Sequence, residues 1–332
     1  MRKVRWGVLS TANIGTKKVI PAMQQGEFCD MVGIASRDLM KARVAAEELG
    51  FPKAYGSYEK LLADPDIEAV YIPLPNHLHV PMSIKVLEAG KHVLCEKPIA
   101  LSADEARQLL EASKKYPHLK AMEAFMYRHH PQWQKARELA SAGTIGEPKT
   151  TQMFVSYLNL DPNNVRNRAD IGGGGLMDVG CYCISMPRFM FGAEPERVAG
   201  IIEYDPNFGT DRVTSAMMDF GSGRTATWTC STQLPEYQRF KISGSEGHIE
   251  VEIPINATPD RPNRIWVQVG EEKEEVAFPV CDQYTIQGDL FSEAVINDTP
   301  VYTPLEDAVA NMEVIEAVAR SAKSGAWEAV RP

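Results

Sequence analysis

The chain has 332 residues, of which 44% are hydrophobic and 24% charged, the balance of an ordinary globular protein with room for two domains. Its formal net charge of −9 argues against nucleic acid as a partner, and no apolar run is long enough to cross a membrane. The start of the chain leads directly into a predicted strand, so we expect no signal peptide. The six cysteines are scattered without a Cys-x-x-Cys pair, which predicts reduced thiols in the cytoplasm.

A strand, a short loop and a helix open the chain. The strand is predicted over Lys3–Leu9, so the loop that runs on to Gly15 lies where dinucleotide-binding proteins hold a pyrophosphate. Gly7 and Gly15 fit such a loop, but Ser10 and Ala12 stand where more glycine is expected. Small residues still let a phosphate approach the helix N-terminus closely. A tight turn without any ligand is the alternative interpretation.

The second predicted strand, Met31–Ala35, ends in a hydroxyl and a cation, Ser36 and Arg37. Enzymes selective for NAD usually place an acidic residue at this strand end to bind the ribose hydroxyls. A guanidinium, with Lys41 close behind, suits a 2′-phosphate instead, which favours NADP over NAD, although NAD stays possible. A solvated basic start of the next helix is the alternative.

Helices and strands keep alternating up to residue 123. The further predicted helices are Asp38–Leu49, Tyr58–Ala63, Pro81–Ala89 and Ser102–Tyr116, and the further strands are Ala69–Ile72, a run ending near Glu96, and Leu119–Glu123. This alternation predicts a doubly wound parallel sheet with right-handed crossovers, an N-terminal Rossmann domain over residues 1–123.

One of these strands leads into a lysine. The apolar run Val93–Cys95 is followed by Glu96, Lys97 and Pro98. A lysine at the mouth of a parallel strand lies where ligands bind in an open α/β sheet, and the proline restrains the backbone before it. An ordinary surface pair of Glu and Lys at a strand end is the alternative.

Histidines occur in two close pairs, His77 with His79 and His129 with His130. Neither pair is accompanied by a cluster of carboxylates or thiols of the kind a metal site needs. A histidine before a helix often caps it, so we expect no metal.

Strands dominate the second half of the chain, which we predict to be an α+β domain over residues 124–332. The predicted strands are Lys149–Tyr157, Glu196–Tyr204, Val213–Phe220, Thr225–Ser231, Gln238–Ser243, Ile249–Ile253, Arg264–Val269 and Glu274–Phe278, and the helices are Pro131–Ala142, Thr285–Asn297 and Leu305–Ser324. Several strands alternate as in an antiparallel sheet with one covered and one open face. We expect a homodimer or homotetramer that forms through the open face.

A glycine-rich segment interrupts the strands. Four glycines, Gly172–Gly175, precede a helix that carries Asp178 and Tyr182, whose spacing of four places them on one helix face. The glycines permit close approach of a ligand or of another part of the chain. A carboxylate and a phenol beside a lysine would make an acid-base site; a packed tyrosine and a solvated aspartate are the alternative.

Together these pieces resemble the Gfo/Idh/MocA oxidoreductase superfamily over nearly the whole chain. The resemblance rests on five pieces in order: the glycine loop, Ser36-Arg37, the run Pro75–His79, Glu96-Lys97-Pro98, and the glycine-rich helix start with Asp178 and Tyr182. The last piece is most similar to the branch of D-xylose dehydrogenases, dimeric dihydrodiol dehydrogenases and glucose-fructose oxidoreductase. Inositol dehydrogenases carry histidine where Tyr182 stands, which disfavours an inositol substrate.

The resemblance implies a role for each matching residue. It places the pyrophosphate at Gly7, Ser10, Thr11, Ala12, Asn13 and Ile14, the 2′-phosphate at Ser36, Arg37 and Lys41, and the nicotinamide ribose side at Leu74, Pro75, Asn76, His79, Glu96, Lys97 and Arg166. It also implies a cis peptide bond between Lys97 and Pro98.

The function implied is an NADP-dependent oxidoreductase of a sugar or a cyclic diol. Free tyrosine and lysine titrate near 10, so a neighbour must favour the charged phenol if Tyr182 is to accept a proton near neutral pH, and the charge of Lys97 would do so. Tyr182 is then the proton carrier and Lys97 the second catalytic group, while Asp178 orients Lys97 or binds a sugar hydroxyl. A non-catalytic NADP-binding sensor and a transferase that keeps its cofactor are the competing hypotheses.

Overall fold

The computed structural model describes residues 2–330, and the chain packs into two compact units. The first unit comprises the chain up to Met126 together with Asp282–Val309, and the second comprises Tyr127–Cys281 and the chain from Ala310 onward. The predicted domain boundary between residues 123 and 124 stays a prediction, but the return of Asp282–Val309 to the first unit was not foreseen.

Polar contacts between distant residues explain why this later segment packs with the N-terminal half. Asp289 accepts the backbone N–H groups of Glu27 at 3.0 Å and Phe28 at 2.9 Å, at the entrance to the second strand. The indole of Trp6, which is fully buried, donates to Ser292 at 3.1 Å. Such pairs lie more than 250 residues apart in the chain, so no local pattern predicts them.

A six-stranded sheet in which every pairing is parallel forms the centre of the first unit, with the strand order β3-β2-β1-β4-β5-β6. The strands are β1 (Val4–Leu9), β2 (Cys29–Ala35), β3 (Lys53–Tyr55), β4 (Ala69–Ile72), β5 (His92–Glu96) and β6 (Ala121–Ala124). The predicted doubly wound parallel sheet is confirmed. Strand β3 was missed because its three half-buried residues form no apolar run.

Several of the helices between these strands begin directly after a capping side chain. They are α1 (Ile20–Met23), α2 (Leu39–Leu49), α3 (Tyr58–Leu62), α4 (His79–Glu88) and α5 (Ala103–Ser113), with α8 (Gln283–Asn297) returning later in the chain. Ser102 accepts the N–H of Glu105 at 3.1 Å, as the predicted capping position requires. Helix α2 begins one residue later than predicted because Asp38 is its cap.

A nine-stranded sheet dominates the second unit, with the order β14-β13-β12-β11-β7-β10-β9-β8-β15. Its strands are β7 (Pro148–Leu158), β8 (Arg197–Tyr204), β9 (Asp211–Asp219), β10 (Thr225–Ser231), β11 (Gln233–Gly244), β12 (Gly247–Val251), β13 (Asn263–Val269), β14 (Glu272–Phe278) and β15 (Glu328–Ala329). Its helices are α6 (Pro131–Ser141) and α7 (Cys181–Phe191). Helix α9 (Leu305–Ser324) starts in the first unit and ends in the second. Only β7 and β10 pair in parallel, so the predicted mostly antiparallel sheet is confirmed.

Alternation along the strands gives this sheet one covered and one open face, as predicted. On β10, Ala226, Trp228 and Cys230 are buried, while the threonines between them are partly exposed. On the open face, Ile201 is 77% exposed and Met217 42% exposed. Within the described residues, no helix is long and apolar enough to cross a membrane.

Two histidines, the half-buried His92 and the buried His130, serve the backbone as hydrogen-bond acceptors. The Nδ1 atom of His92 accepts the N–H of Lys120 at 2.9 Å, and Nδ1 of His130 accepts the N–H of Gln132 at 3.2 Å at the start of α6. Burial lowers the pKa of each histidine to about 4. Both rings are therefore neutral at pH 7, and a proton on Nδ1 would remove the bond.

These histidines predict loss of stability in mild acid. Histidine in an unfolded chain titrates near 6.5, so between about pH 6.5 and pH 4 the unfolded state binds more protons and the free energy of unfolding falls with pH. We expect the midpoint of urea unfolding, measured by tryptophan fluorescence, to be lower at pH 5 than at pH 7.5. His130→Asn keeps a capping acceptor that does not titrate, so it should flatten this dependence; an unchanged slope would contradict the assignment.

Candidate active site

The first glycine of the predicted dinucleotide-binding segment belongs to the strand, and its contact with a pyrophosphate stays a prediction. Gly7 lies inside β1, where an added Cβ would stand 2.8 Å from Cδ2 of Leu61 and 3.0 Å from Cγ2 of Ile67. Its lack of a side chain is thus explained by packing between strand and helix. The spacing of the dinucleotide-binding loop falls instead on Ser10, Ala12 and Gly15, after the strand has ended.

Ser10 adopts a backbone conformation in this loop that is typical of glycine. Its φ of +122° lies in the left-handed region that glycine prefers, and its Oγ accepts the N–H of Ala12 at 3.0 Å. The helical turns begin at Asn13, and the carbonyl of Ala12 accepts the N–H of Thr16 at 3.0 Å. The N–H groups of this first turn have no intrahelical acceptor, so the loop keeps the donors that a pyrophosphate needs. Contact of Thr11 and Ile14 with a pyrophosphate stays a prediction.

Two exposed cations mark the end of β2. Ser36 is buried and its Oγ accepts the N–H of Asp38 at 3.2 Å, whereas Arg37 and Lys41 face solvent. The one acid of this segment, Asp38, caps α2 by accepting the N–H of Met40 at 2.9 Å. Within residues 2–330, no carboxylate oxygen lies within 4.0 Å of a side-chain nitrogen of Arg37 or Lys41. Both cations are available to an anionic ligand.

His79 ties two loops of the first unit together. Its ring nitrogens lie 2.7 Å from the carbonyl oxygens of Pro98 and of Leu74, and the residue is 1% exposed. Donation to both oxygens would need a protonated ring, but burial outweighs these contacts and lowers the pKa of His79 to about 4, so the neutral ring donates to one of the two. The ring is used by the protein itself, and its contact with a ribose, like those of Pro75 and Asn76, stays a prediction. In the described part of the chain, no group of three or more His, Cys, Asp or Glu could hold a metal.

The turn that carries Lys97 is held on both sides. The peptide bond from Lys97 to Pro98 is cis, as the resemblance implied. The hydroxyl of Tyr71 donates to Oε1 of Glu96 at 2.7 Å, and the N–H of Ile99 donates to Oε1 of Glu123 at 2.7 Å. Burial and the charge of Glu96 raise the pKa of Tyr71, which keeps its proton and orients the Glu96 carboxylate.

In the second unit, Asp178 is the centre of a polar cluster. The hydroxyl of Tyr157 donates to its Oδ2 at 2.5 Å, and Nε of Arg166 donates to the same oxygen at 2.8 Å. The charge of Asp178 raises the pKa of Arg166, and burial followed by that charge raises the pKa of Tyr157. Arg166 is therefore cationic and Tyr157 protonated at neutral pH, and both orient the Asp178 carboxylate.

Tyr182 lies close to this cluster. The charge that an ionised Tyr182 would carry also raises the pKa of Arg166, the guanidinium that binds Asp178. The turn between them, Leu176–Gly180, is a wider π-helical turn before α7 begins, a feature common at functional sites. Tyr182 is 3% exposed, and its ring centroid lies 5.9 Å from that of Tyr127.

Sequence patterns missed the partners that hold these residues. Tyr71, Glu123 and Tyr157 are polar residues within strands, and a polar residue in a buried strand is the one local signal that could have found the first two. Arg128 is a buried cation outside this cluster, and its guanidinium donates to Oγ of Ser185 at 2.8 Å.

Two family models match the chain. The oxidoreductase family with an NAD-binding Rossmann fold matches residues 4–125, and the GFO/IDH/MocA C-terminal domain matches residues 133–250. The uncharacterized oxidoreductase ORF334 of Rhizobium meliloti is 44% identical over 99% of this chain and 100% of its own length. D-xylose 1-dehydrogenase (NADP(+)) 2 of Haloferax volcanii is 36% identical over 97% of this chain and 98% of its own.

A solved structure is similar over nearly the same extent. The 3-ketoreductase of Actinomadura kijaniata, in complex with NADP and TDP-benzene, superimposes with a TM-score of 0.90 at 26% identity, covering 96% of this chain and 98% of the ketoreductase. Other structures of that enzyme carry a lysine replaced by alanine or glutamate, or a tyrosine replaced by phenylalanine.

Proposed function

Because the chain belongs to the Gfo/Idh/MocA oxidoreductase family, we propose that it transfers a hydride between NADP and a sugar or a cyclic diol. The observation that carries the choice of cofactor is the pair of exposed cations, Arg37 and Lys41, at the end of β2, where the acid of the same segment, Asp38, is already used as a helix cap. The substrate class is supported by the relatives, which include a D-xylose dehydrogenase and a sugar 3-ketoreductase.

The residues of the first unit fit such a cofactor. Arg37 and Lys41 would bind the 2′-phosphate, since a guanidinium pairs with phosphate through two parallel hydrogen bonds. The loop from Ser10 to Ile14 would bind the pyrophosphate with the N–H groups of the first helical turn. Glu96, held by Tyr71, would bind the nicotinamide ribose. When bound, the cofactor supplies the hydride chemistry.

The protein supplies the proton. In oxidation, the hydroxyl of the sugar loses its proton to the oxygen of Tyr182, and in reduction the same oxygen returns it. Lys97 is the second catalytic group, with a cationic side chain that favours the ionised phenol. Asp178 is a carboxylate already oriented by Tyr157 and Arg166, which suits it to bind a hydroxyl in a fixed direction.

Arg37→Ala tests the choice of cofactor. Loss of a charge-assisted hydrogen-bond pair costs about 1.5–3 kcal/mol, so we expect the Kd for NADP+ to rise by about 10- to 100-fold while the Kd for NAD+ stays within about twofold. Fluorescence titration of both nucleotides measures this. Arg107→Ala, an exposed arginine of the same unit, is the matched control. Equal losses for both nucleotides, or a wild-type preference for NAD+, would refute the 2′-phosphate assignment.

Tyr182→Phe and Lys97→Ala test the proton transfer. General acid-base catalysis contributes about 10²–10⁴-fold, so we expect kcat on an aldose or a trans-diol to fall by at least about 100-fold in each variant, with the Kd for NADP+ little changed. If both groups serve one step, the double variant should lose little more than either single variant.

Two results would count against this assignment. Full turnover by Tyr182→Phe would exclude Tyr182 as the proton carrier, and loss of NADP+ binding in Lys97→Ala would show a structural role for the lysine. Tyr237→Phe, at a half-exposed tyrosine of the sheet's open face, is the control for loss of a phenol. Tight NADP+ binding by the wild type without turnover on any sugar or diol would favour a sensor.

We also propose that a second copy of the chain covers the open face of the nine-stranded sheet. Ile201, Met217, Tyr237 and Trp327 are 77%, 42%, 50% and 42% exposed, and Phe154 lies among them in a shallow groove of that face. Exposed apolar groups gathered on one face are typical of an interaction surface.

Six free thiols further support a reducing compartment, the cytoplasm.

Ile201→Asp tests the interface. A carboxylate buried without a partner is costly, so we expect light scattering to show a dimer or tetramer for the wild type and a smaller species for the variant, with unchanged circular dichroism. Val44→Asp introduces the same charge at an exposed position of α2 and should leave the mass unchanged. A monomeric wild type, or an unaltered Ile201→Asp oligomer, would contradict the proposal.

A further inference from the structure

The helix that carries Asp178 and Tyr182 begins without a capping side chain of its own. Gly175 occupies the cap position, and no local side chain bonds to the first turn, Leu176–Gly180. The first N–H groups of a helix need acceptors when they are buried, and a run of glycines offers none. Leu176 is itself buried, so the acceptor has to come from elsewhere in the protein.

Asp211, the first residue of β9, supplies that acceptor from 35 residues away. Its Oδ2 accepts the N–H of Leu176 at 2.6 Å and the hydroxyl of Thr214 at 3.0 Å. Asp211 is 7% exposed and Thr214 is fully buried. A carboxylate at a helix N-terminus is stabilised by the helix dipole as well as by the hydrogen bond, which offsets part of the cost of its burial. Burial raises the pKa of Asp211 all the same.

The glycine run is shaped to admit this carboxylate. Gly174 has a φ of +117°, and an added Cβ would stand 1.9 Å from Oδ1 of Asp211. Its N–H donates to the carbonyl of Arg166 at 2.8 Å, and the N–H of Gly173 donates to the carbonyl of Arg168 at 2.9 Å. The carboxylate of Asp211 thus lies against Gly174, and Gly174 in turn forms a hydrogen bond with the backbone of Arg166.

We infer that Asp211 is a positioning residue for the reaction: by capping the helix at Leu176 and packing against Gly174, it sets Asp178, Tyr182 and Arg166 relative to one another. Asp178 stands two residues after the capped position, and its N–H donates to the carbonyl of Gly174 at 3.1 Å. The inference rests on the proposed role of Tyr182, but the capping itself can be tested without turnover.

Asp211→Ala and Thr214→Val test this role. We count kcat per NADP+-binding site, so that unfolded protein does not lower the measured value. It should fall at least tenfold in Asp211→Ala and several-fold in Thr214→Val, a variant that keeps the shape of the side chain but loses the hydroxyl. Asp211→Asn should be intermediate, because its amide oxygen can still accept from Leu176. The Kd for NADP+ should stay within about twofold, since the cofactor residues of the first unit are untouched. Asp219→Asn, at the other end of β9, is the control.

Amide hydrogen exchange of residues 174–182 separates this inference from the proposed function. It should quicken in Asp211→Ala and Thr214→Val but not in Asp219→Asn, whether or not any substrate turns over. Faster exchange in an enzyme without sugar or diol turnover would keep the cap and reject the proposed reaction. Unchanged exchange, or a kcat per binding site within twofold of wild type in both variants, would overturn the role of Asp211.

Discussion

A lysine can act on a substrate only if the backbone beneath it is held, and the turn Glu96–Ile99 is held from three neighbouring elements. Tyr71 of β4 donates to Glu96, His79 of α4 bonds to the carbonyl of Pro98, and Glu123 of β6 accepts the N–H of Ile99. All three partners are buried, where a hydrogen bond left unmade costs about 1–3 kcal/mol. The position of Lys97 therefore follows from the packing of the parallel sheet more than from the residues of its own loop.

The second unit fixes its predicted functional residues by the same kind of contact. Asp178 is bound by Tyr157 from β7 and by Arg166 from the loop that follows β7, and Asp211 caps the helix on which Asp178 stands. Each of these bonds has an ionised carboxylate or a guanidinium as one partner, so each is stronger than a neutral bond and defines a direction. In both units the predicted reactive groups are thus held by hydrogen bonds from neighbouring elements.

The sequence was sufficient for features that repeat or lie close together, and insufficient for features made by distant pairs. Parallel strands are buried on both faces and appear as apolar runs, so Ala69–Ile72 was predicted with the bounds it has; β3 has no such run and was missed. Lys97 and Tyr182 were predicted because they belong to local motifs. Asp211 was not predicted, because its partner Leu176 lies 35 residues away and no sequence pattern in either segment indicates that the two residues pair.

Glycine was the least dependable guide to the ligand site. Gly7 makes room for Leu61, and Gly174 makes room for a carboxylate of the protein, so both are explained by the chain packing against itself. The loop that we assign to the pyrophosphate uses a serine, Ser10, in the left-handed region, with its hydroxyl bonded to the next turn. A non-glycine residue in that region is strained by about 1–3 kcal/mol and is found where the surrounding structure requires it, often at functional sites. Here the strained serine marks the proposed cofactor loop better than Gly7 or Gly174 does, because close packing accounts for those two glycines and does not account for the φ of the serine.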